Sequence, residues 1–285
     1  MRCKESITAR QGMVDLDNEG VHWQQDLSYG QYLDLDALLH CQRPRSAEHD
    51  EMLFIVIHQV SELWIKLCLH EAHAAAEHIR RDQLPPAFKM LSRVARIQEQ
   101  LIKAWEVLVT MTPADYARFR GSLGQSSGFQ SYQYRELEFL LGNKNARMVE
   151  AHRAHPEHYR HLSAILAAPS IYDISLQLLH RRGFALPAHC LERDWSQPYQ
   201  ACAEVEAAWS RVYHHTEQHW DLYELAEKLV DMEYNFQKWR FSHMKTVERI
   251  IGHKKGTGGT GGVSYLVKAL DLTFFPELWA VRTSI

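Results

Sequence analysis

The 285-residue chain is 46% apolar and carries a formal net charge of −3. That is enough apolar material for a substantial core, and it leaves no excess of positive charge to hold nucleic acid or an anionic membrane. Five cysteines (Cys3, Cys41, Cys68, Cys190 and Cys202) form no C-x-x-C pair, which argues for free thiols in a reducing compartment and against a disulfide scaffold or a zinc ribbon.

Residues 1–26 are polar, lack the apolar stretch of a secretion signal, and are expected to form a flexible arm. Residues 29–39 are expected to form a short helix. Residues 49–80 come next as one long helix, with Leu53, Ile57, Val60, Trp64 and Leu67 three to four positions apart. Pro85 and Pro86 open a second long helix that runs to about Met111. Thr112-Pro113 starts a shorter one ending near Gly121, and LGQSSG makes a turn. Residues 129–141 are helical and stop at Gly142-Asn143. Shorter helices fill residues 145–182, broken at Pro156 and Pro169 and closed by Gly183. Residues 201–252 are helical, either throughout or with one break. HKKGTGGTGG, a short helix and LTFFPELW complete the chain. No segment alternates with a period of two, so the expected fold is all-α. Two pairs of long antiparallel helices would form a single-domain bundle over residues 27–285, with added short helices. The longest apolar run, residues 52–57, is too short to span a bilayer, so a cytoplasmic protein without a membrane span is expected.

Four features carry chemistry. His58 lies four residues after Phe54, among Ile55, Val56, Ile57 and Val60. A buried imidazole there must bond to a neighbouring helix or meet a ligand. His243 comes four residues after Trp239 on an apolar face continued by Val247 and Ile250. It is either a satisfied core histidine or a haem axial ligand, and the absence of C-x-x-C-H argues against covalent haem attachment. Arg120, close to Tyr116 and Phe119, precedes a Ser/Gly turn and is either solvated or a carboxylate clamp. In that turn Ser126-Ser127 is placed to cap the next helix. Gly256 to Gly261 matches G-x-G-x-x-G, but no strand precedes it, so a flexible loop or lid bearing Thr257 replaces the dinucleotide reading. His70-Glu71-Ala72-His73 is one residue short of a zincin motif, and His215 and His219, four apart, fit a solvated face better than a metal site.

The segments SYGQYLDLDALL, DEMLFIVIHQVSELWIKL, FRGSLGQSSGFQSYQYRELEFLLGNKN, DWSQPY, WRFSHMKTVERIIGHKKGTGGTGG and LTFFPELWAVRTS, in this order over residues 27–284, resemble the tryptophan 2,3-dioxygenase family. The resemblance implies a haem enzyme that inserts both atoms of O2 across the indole C2–C3 bond of L-tryptophan, giving N-formylkynurenine, the first step of tryptophan degradation. It implies one haem b per subunit with His243 as iron ligand and Ser127 at the haem edge. His58 would sit near the indole N–H, Arg120 would hold the carboxylate, and Thr257 would meet the ammonium. Phe54 and Tyr116 would pack on the indole. It further implies a homotetramer in which Tyr29, Tyr32 and Leu33 line a neighbouring subunit's site. Two other readings use the same residues: a non-enzymatic helical haem sensor or carrier built on His243, which leaves Arg120 and the glycine loop without a role, and a purely structural helical assembly.

Overall fold

The computed structural model describes residues 27–285, so the arm expected over residues 1–26 lies outside the described residues. Every regular element among the described residues is helical. The chain divides into two compact units, Met1–Arg43 and Pro44–Ile285.

In the first unit the short helix expected over residues 29–39 is two, α1 (Tyr29–Tyr32) and α2 (Leu35–Leu39). Ser28 and Gln31 form a capping box that starts α1, and Asp34 at φ 49° breaks the run. Tyr29, Tyr32 and Leu33 are all exposed.

The second unit begins with α3 (Asp50–Arg80) and α4 (Leu84–Leu108). Leu84, Ala87, Leu91, Val94, Ile97, Leu101, Ala104 and Leu108 fall three or four apart on α4 and all are buried. Opposite them α3 offers Cys68, Ala72, Ala75, Ala76 and Ile79, whose small side chains let the two backbones approach. Hydrophobic burial on α3 starts at Ile65, and the turns before it are left for another purpose. Next come α5 (Pro113–Arg120), 3-10 turns at Gly121–Leu123 and Gly128–Gln130, and α6 (Tyr132–Leu141), stopped by Gly142 at φ 113°. The chain continues through α7 (Ala146–Glu150), α8 (Pro156–Leu166), α9 (Ile171–Arg181), α10 (Ala188–Leu191) and α11 (Ala203–His214). The last are α12 (Trp220–Ile251), α13 (Val263–Leu270) and α14 (Pro276–Ser284).

The break expected within residues 201–252 falls between His214 and Trp220, so the long helices number three, α3, α4 and α12, instead of two pairs. α4 packs against both others, while shorter helices take the fourth position: α9 lies on α3, and α11 with α14 lies on α12. Asp50–Arg80 and Pro156–Arg181 are each long and apolar enough to cross a membrane by length and composition, where the short apolar run suggested none. Here α3 is a bundle helix tied sideways by Glu71–Arg93 and His73–Glu136. The second segment is interrupted between α8 and α9.

Candidate functional site

The N-terminal half of α3, the C-terminal end of α4, α5 and the C-terminal half of α12 enclose a cavity of about 480 Å³, within the range of small-molecule sites. Phe54, His58, Tyr116, Ser127, His243 and Thr257 all line it. Residues from α3, α5, the Ser/Gly turn, α12 and the glycine loop therefore meet at one place. Arg120 is not among the lining residues. At the end of α5 it donates from Nη2 to the Lys255 carbonyl at 2.6 Å, holding the base of the glycine loop. Tyr29, Tyr32 and Leu33 belong to the first unit.

Phe54 starts an aromatic wall. Its ring lies 4.2 Å from that of His58, 5.9 Å from Tyr116 and 5.6 Å from Phe119, and Tyr116 meets Phe119 edge-on at 5.3 Å. Such offset and edge contacts lock ring positions and leave flat apolar surface toward the cavity. Burial pushes the Tyr116 phenol up, and the Arg120 charge acts against that shift, which places Arg120 within electrostatic reach of the wall.

The two histidines differ. His58 Nδ1 lies 2.7 Å from the Phe54 carbonyl, one turn back on α3. A carbonyl only accepts, so Nδ1 carries the proton. Burial lowers the His58 pKa, while the Phe54 carbonyl and Glu62 act to raise it; the ring is neutral near pH 7 and Nε2 is an acceptor. His243 makes no hydrogen bond among the described residues. It stacks on Trp105, centroids 4.6 Å apart and planes 12° from parallel, and touches Trp239 at 5.5 Å. Burial brings its pKa down to about 4, with the nearby His58 adding to the shift, so its lone pair is available.

The glycine loop meets the Ser/Gly turn. Thr257 Oγ1 donates to the Ser126 carbonyl at 2.5 Å, which leaves its oxygen lone pairs to accept. A Cβ on Gly258 would lie 2.7 Å from Ser127 Cβ, so the loop can seat there only with glycine. Gly262, at φ 61°, leads into α13 with the Lys254 carbonyl 2.5 Å from where a Cβ would stand. Ser127 caps the 3-10 turn Gly128–Gln130 through Phe129 N, and Ser131 caps α6. The cap expected of Ser126-Ser127 is thus Ser127's alone, and it serves the turn.

Sequence patterns did not single out Trp105, nor the polar end of the cavity. There Glu138 joins Arg135 and Arg240, with Arg240 Nη2 3.0 Å from Glu138 Oε1 and Nη1 3.0 Å from the Ala269 carbonyl. A signal existed: Arg240 lies between Trp239 and His243 on an otherwise apolar face, and Arg135 and Glu138 are three apart. Trp105 Nε1, Trp239 Nε1, Arg135 Nε and Arg240 Nε are buried without a hydrogen-bond partner among the described residues, and all four residues line the cavity.

This set fits haem. A neutral imidazole with no partner is an iron donor, apolar walls suit a macrocycle, and buried guanidinium N–H groups at one end suit its carboxylates.

A family profile described as tryptophan 2,3-dioxygenase matches residues 15–166 and 210–285. The chain is 60% identical over 259 residues to tryptophan 2,3-dioxygenase 1 of Ralstonia nicotianae, covering 91% of this chain and 88% of that one. It is 55% identical over 288 residues to the tryptophan 2,3-dioxygenase of Cupriavidus necator, covering 99% and 98%. With that of Ralstonia pickettii it shares 58% identity over 278 residues, 96% and 100% of the two chains. The chain belongs to the tryptophan 2,3-dioxygenase family.

Proposed function

We propose that this member of the tryptophan 2,3-dioxygenase family uses the cavity between α3, α4, α5 and α12 to hold L-tryptophan against haem b, one per subunit, with His243 as iron ligand. The enzyme cleaves the indole C2–C3 bond of L-tryptophan with both atoms of O2 and yields N-formylkynurenine. The observation that carries the site assignment is His243 itself: a neutral, unbonded imidazole facing the same cavity as His58 and Thr257. Haem, when bound, supplies the activation of O2 that no side chain provides.

The residues of the chain bind, orient and exclude water. His58 accepts the indole N–H at Nε2, because its own proton is engaged at Nδ1 by Phe54. Phe54 and Tyr116, in contact with each other, pack against the indole as one wall. Thr257 accepts from the substrate ammonium, its hydroxyl proton being spent on Ser126. Arg120 keeps N–H groups beyond the one given to Lys255 and captures the carboxylate. Both contacts tie the glycine loop down, so substrate binding and loop seating support each other and shed water. Fixing carboxylate and ammonium together selects the free amino acid over peptides and decarboxylated indoles. Ser127 lies at the haem edge, and Trp105, stacked on His243, sets the imidazole plane.

The enzyme works as a cytoplasmic homotetramer in which Tyr29, Tyr32 and Leu33 cover a neighbouring subunit's site. Their exposure in the first unit supports this reading.

The test is an absorption spectrum of the haem-loaded protein, reduced without oxygen, before and after L-tryptophan and then aerated. The expected result is a five-coordinate ferrous spectrum perturbed by tryptophan, with N-formylkynurenine absorbance growing on aeration. Haem without product would replace the reading by a sensor or carrier.

A further inference from the structure

Away from the cavity, the connection between α9 and α11 brings three metal-ligating side chains together. The ligand atoms of His189, Cys190 and Cys202 all lie within 4.8 Å of one another. Cys190 and Cys202 are buried and free, while His189 is exposed and opens the cluster to solvent. A fourth donor stands beside them: the Cys202 thiol donates to Glu204 Oε2 at 3.0 Å. None of these residues lines the haem cavity.

The scaffold under the cluster is firm, although α10 is a single turn. The Cys202 amide donates to Glu277 Oε1 at 2.8 Å, and Tyr199 donates to the same oxygen at 2.6 Å. Tyr172 reaches the other oxygen at 2.7 Å. Arg193, three residues past Cys190, grips Asp173 with two nitrogens and the Gln197 carbonyl with a third. Ligands whose backbones are held this way by outer contacts stay close to a binding arrangement without help from the metal.

We propose that His189, Cys190, Cys202 and Glu204 form a binding site for a zinc-type soft divalent cation, which clips α10 to the start of α11. Two thiolates, one imidazole and one carboxylate are a tetrahedral set of the kind that closes structural zinc sites. Donors around such an ion stand about 3.3–3.8 Å apart, from bond lengths of about 2.0–2.3 Å. The three atoms within 4.8 Å of one another therefore have to contract by no more than about 1.5 Å, through the exposed His189 and small thiol rotations, while the exposed Glu204 swings in from its contact with Cys202. On binding, each thiol S–H bond breaks and an S–metal bond forms; both protons leave to solvent and no electron moves.

The test uses haem-loaded enzyme purified without chelator and given zinc. Metal analysis counts zinc beside iron, and zinc K-edge absorption reads its neighbours. The expected result is about one zinc per chain with two sulfur neighbours at about 2.3 Å. In a Cys190→Ser/Cys202→Ser variant the zinc and its sulfur scattering disappear, while iron content and tryptophan turnover stay. His189→Ala, a surface change, keeps the sulfur neighbours and binds zinc more weakly. Equal zinc in the double variant would overturn the proposal, and so would a Cys190–Cys202 disulfide in the unreduced protein. Should the double variant not fold, the wild-type spectrum decides alone, since zinc without sulfur neighbours sinks the site.

Discussion

Around Glu277 on α14 the carboxyl oxygens accept from Tyr172, Tyr199 and the Cys202 amide, whereas around His243 on α12 an imidazole and four N–H groups of cavity-lining residues stand without partners among the described residues. Both centres are built by long-range packing of helices. Burial pushes both phenols near Glu277 up, so they remain donors and the network is complete. A buried polar group without a partner costs about 1–3 kcal/mol, so completion at Glu277 is what stability alone would select. The unmet groups at the cavity cost stability and are tolerated where a ligand takes them up.

Four changes test that contrast. His243→Ala is expected to have the largest effect on activity: loss of haem-supported turnover to background, with the thermal midpoint of the haem-free protein nearly unmoved. Haem content and N-formylkynurenine absorbance measure the first, a melting curve the second. If the variant instead melts far earlier, His243 is a structural residue and the contrast collapses.

Glu277→Ala should do the reverse. It strands two phenols and an amide, with an expected loss of about 3–5 kcal/mol in stability. At about 2–4 °C per kcal/mol for a domain of this size class, the midpoint falls by roughly 6–20 °C. Molecules still folded are expected to bind haem and turn over tryptophan normally. Urea or thermal unfolding beside steady-state kinetics separates the two readouts.

Arg120→Leu removes charge-assisted hydrogen bonds worth about 1.5–3 kcal/mol, so the KM for tryptophan should rise roughly 10- to 150-fold while haem content holds. An unchanged KM would remove Arg120 from substrate capture and leave it as the anchor of Lys255.

The smallest effect concerns pH. Burial lowers the His58 pKa, so the neutral, accepting ring persists below the ordinary histidine value of about 6.5. As pH falls through the lowered pKa, Nε2 gains a proton and loses the lone pair with which it is proposed to accept the indole N–H. A plot of kcat/KM against pH should therefore fall on the acid side with its midpoint below the ordinary histidine value of about 6.5. A drop centred at or above 6.5 would mean that His58 is not the group that accepts.

Much of the helical layout is legible in the chain. The 3.6-residue spacing of Leu84, Ala87, Leu91 and Val94 places α4, and Thr112-Pro113 and Gly142 mark ends that the structure keeps. The short helix expected over residues 29–39 divides in two because Asp34 sits in a left-handed conformation that composition does not announce. The long helices number three instead of two pairs because the HTEQH stretch after His214 interrupts an otherwise periodic run. In the site, His58 and His243 stand out as polar rings on apolar faces. Trp105 does not, since a tryptophan on an apolar stripe looks like any core residue.

Hydrogen bonds within a helix connect residues four apart, so a short window of sequence contains the information that sets helix positions, caps and stops. That is why the all-α class, the glycine loop and the candidate histidines could be read directly. The stack of Trp105 on His243, the bond between Glu138 and Arg240 across 102 residues, the 135-residue reach of Arg120 to Lys255 and the meeting of Cys190 with Cys202 were decided only by packing. Each depends on which helix faces align and in which direction the side chains leave them, a non-local choice that the free energy of the whole core makes.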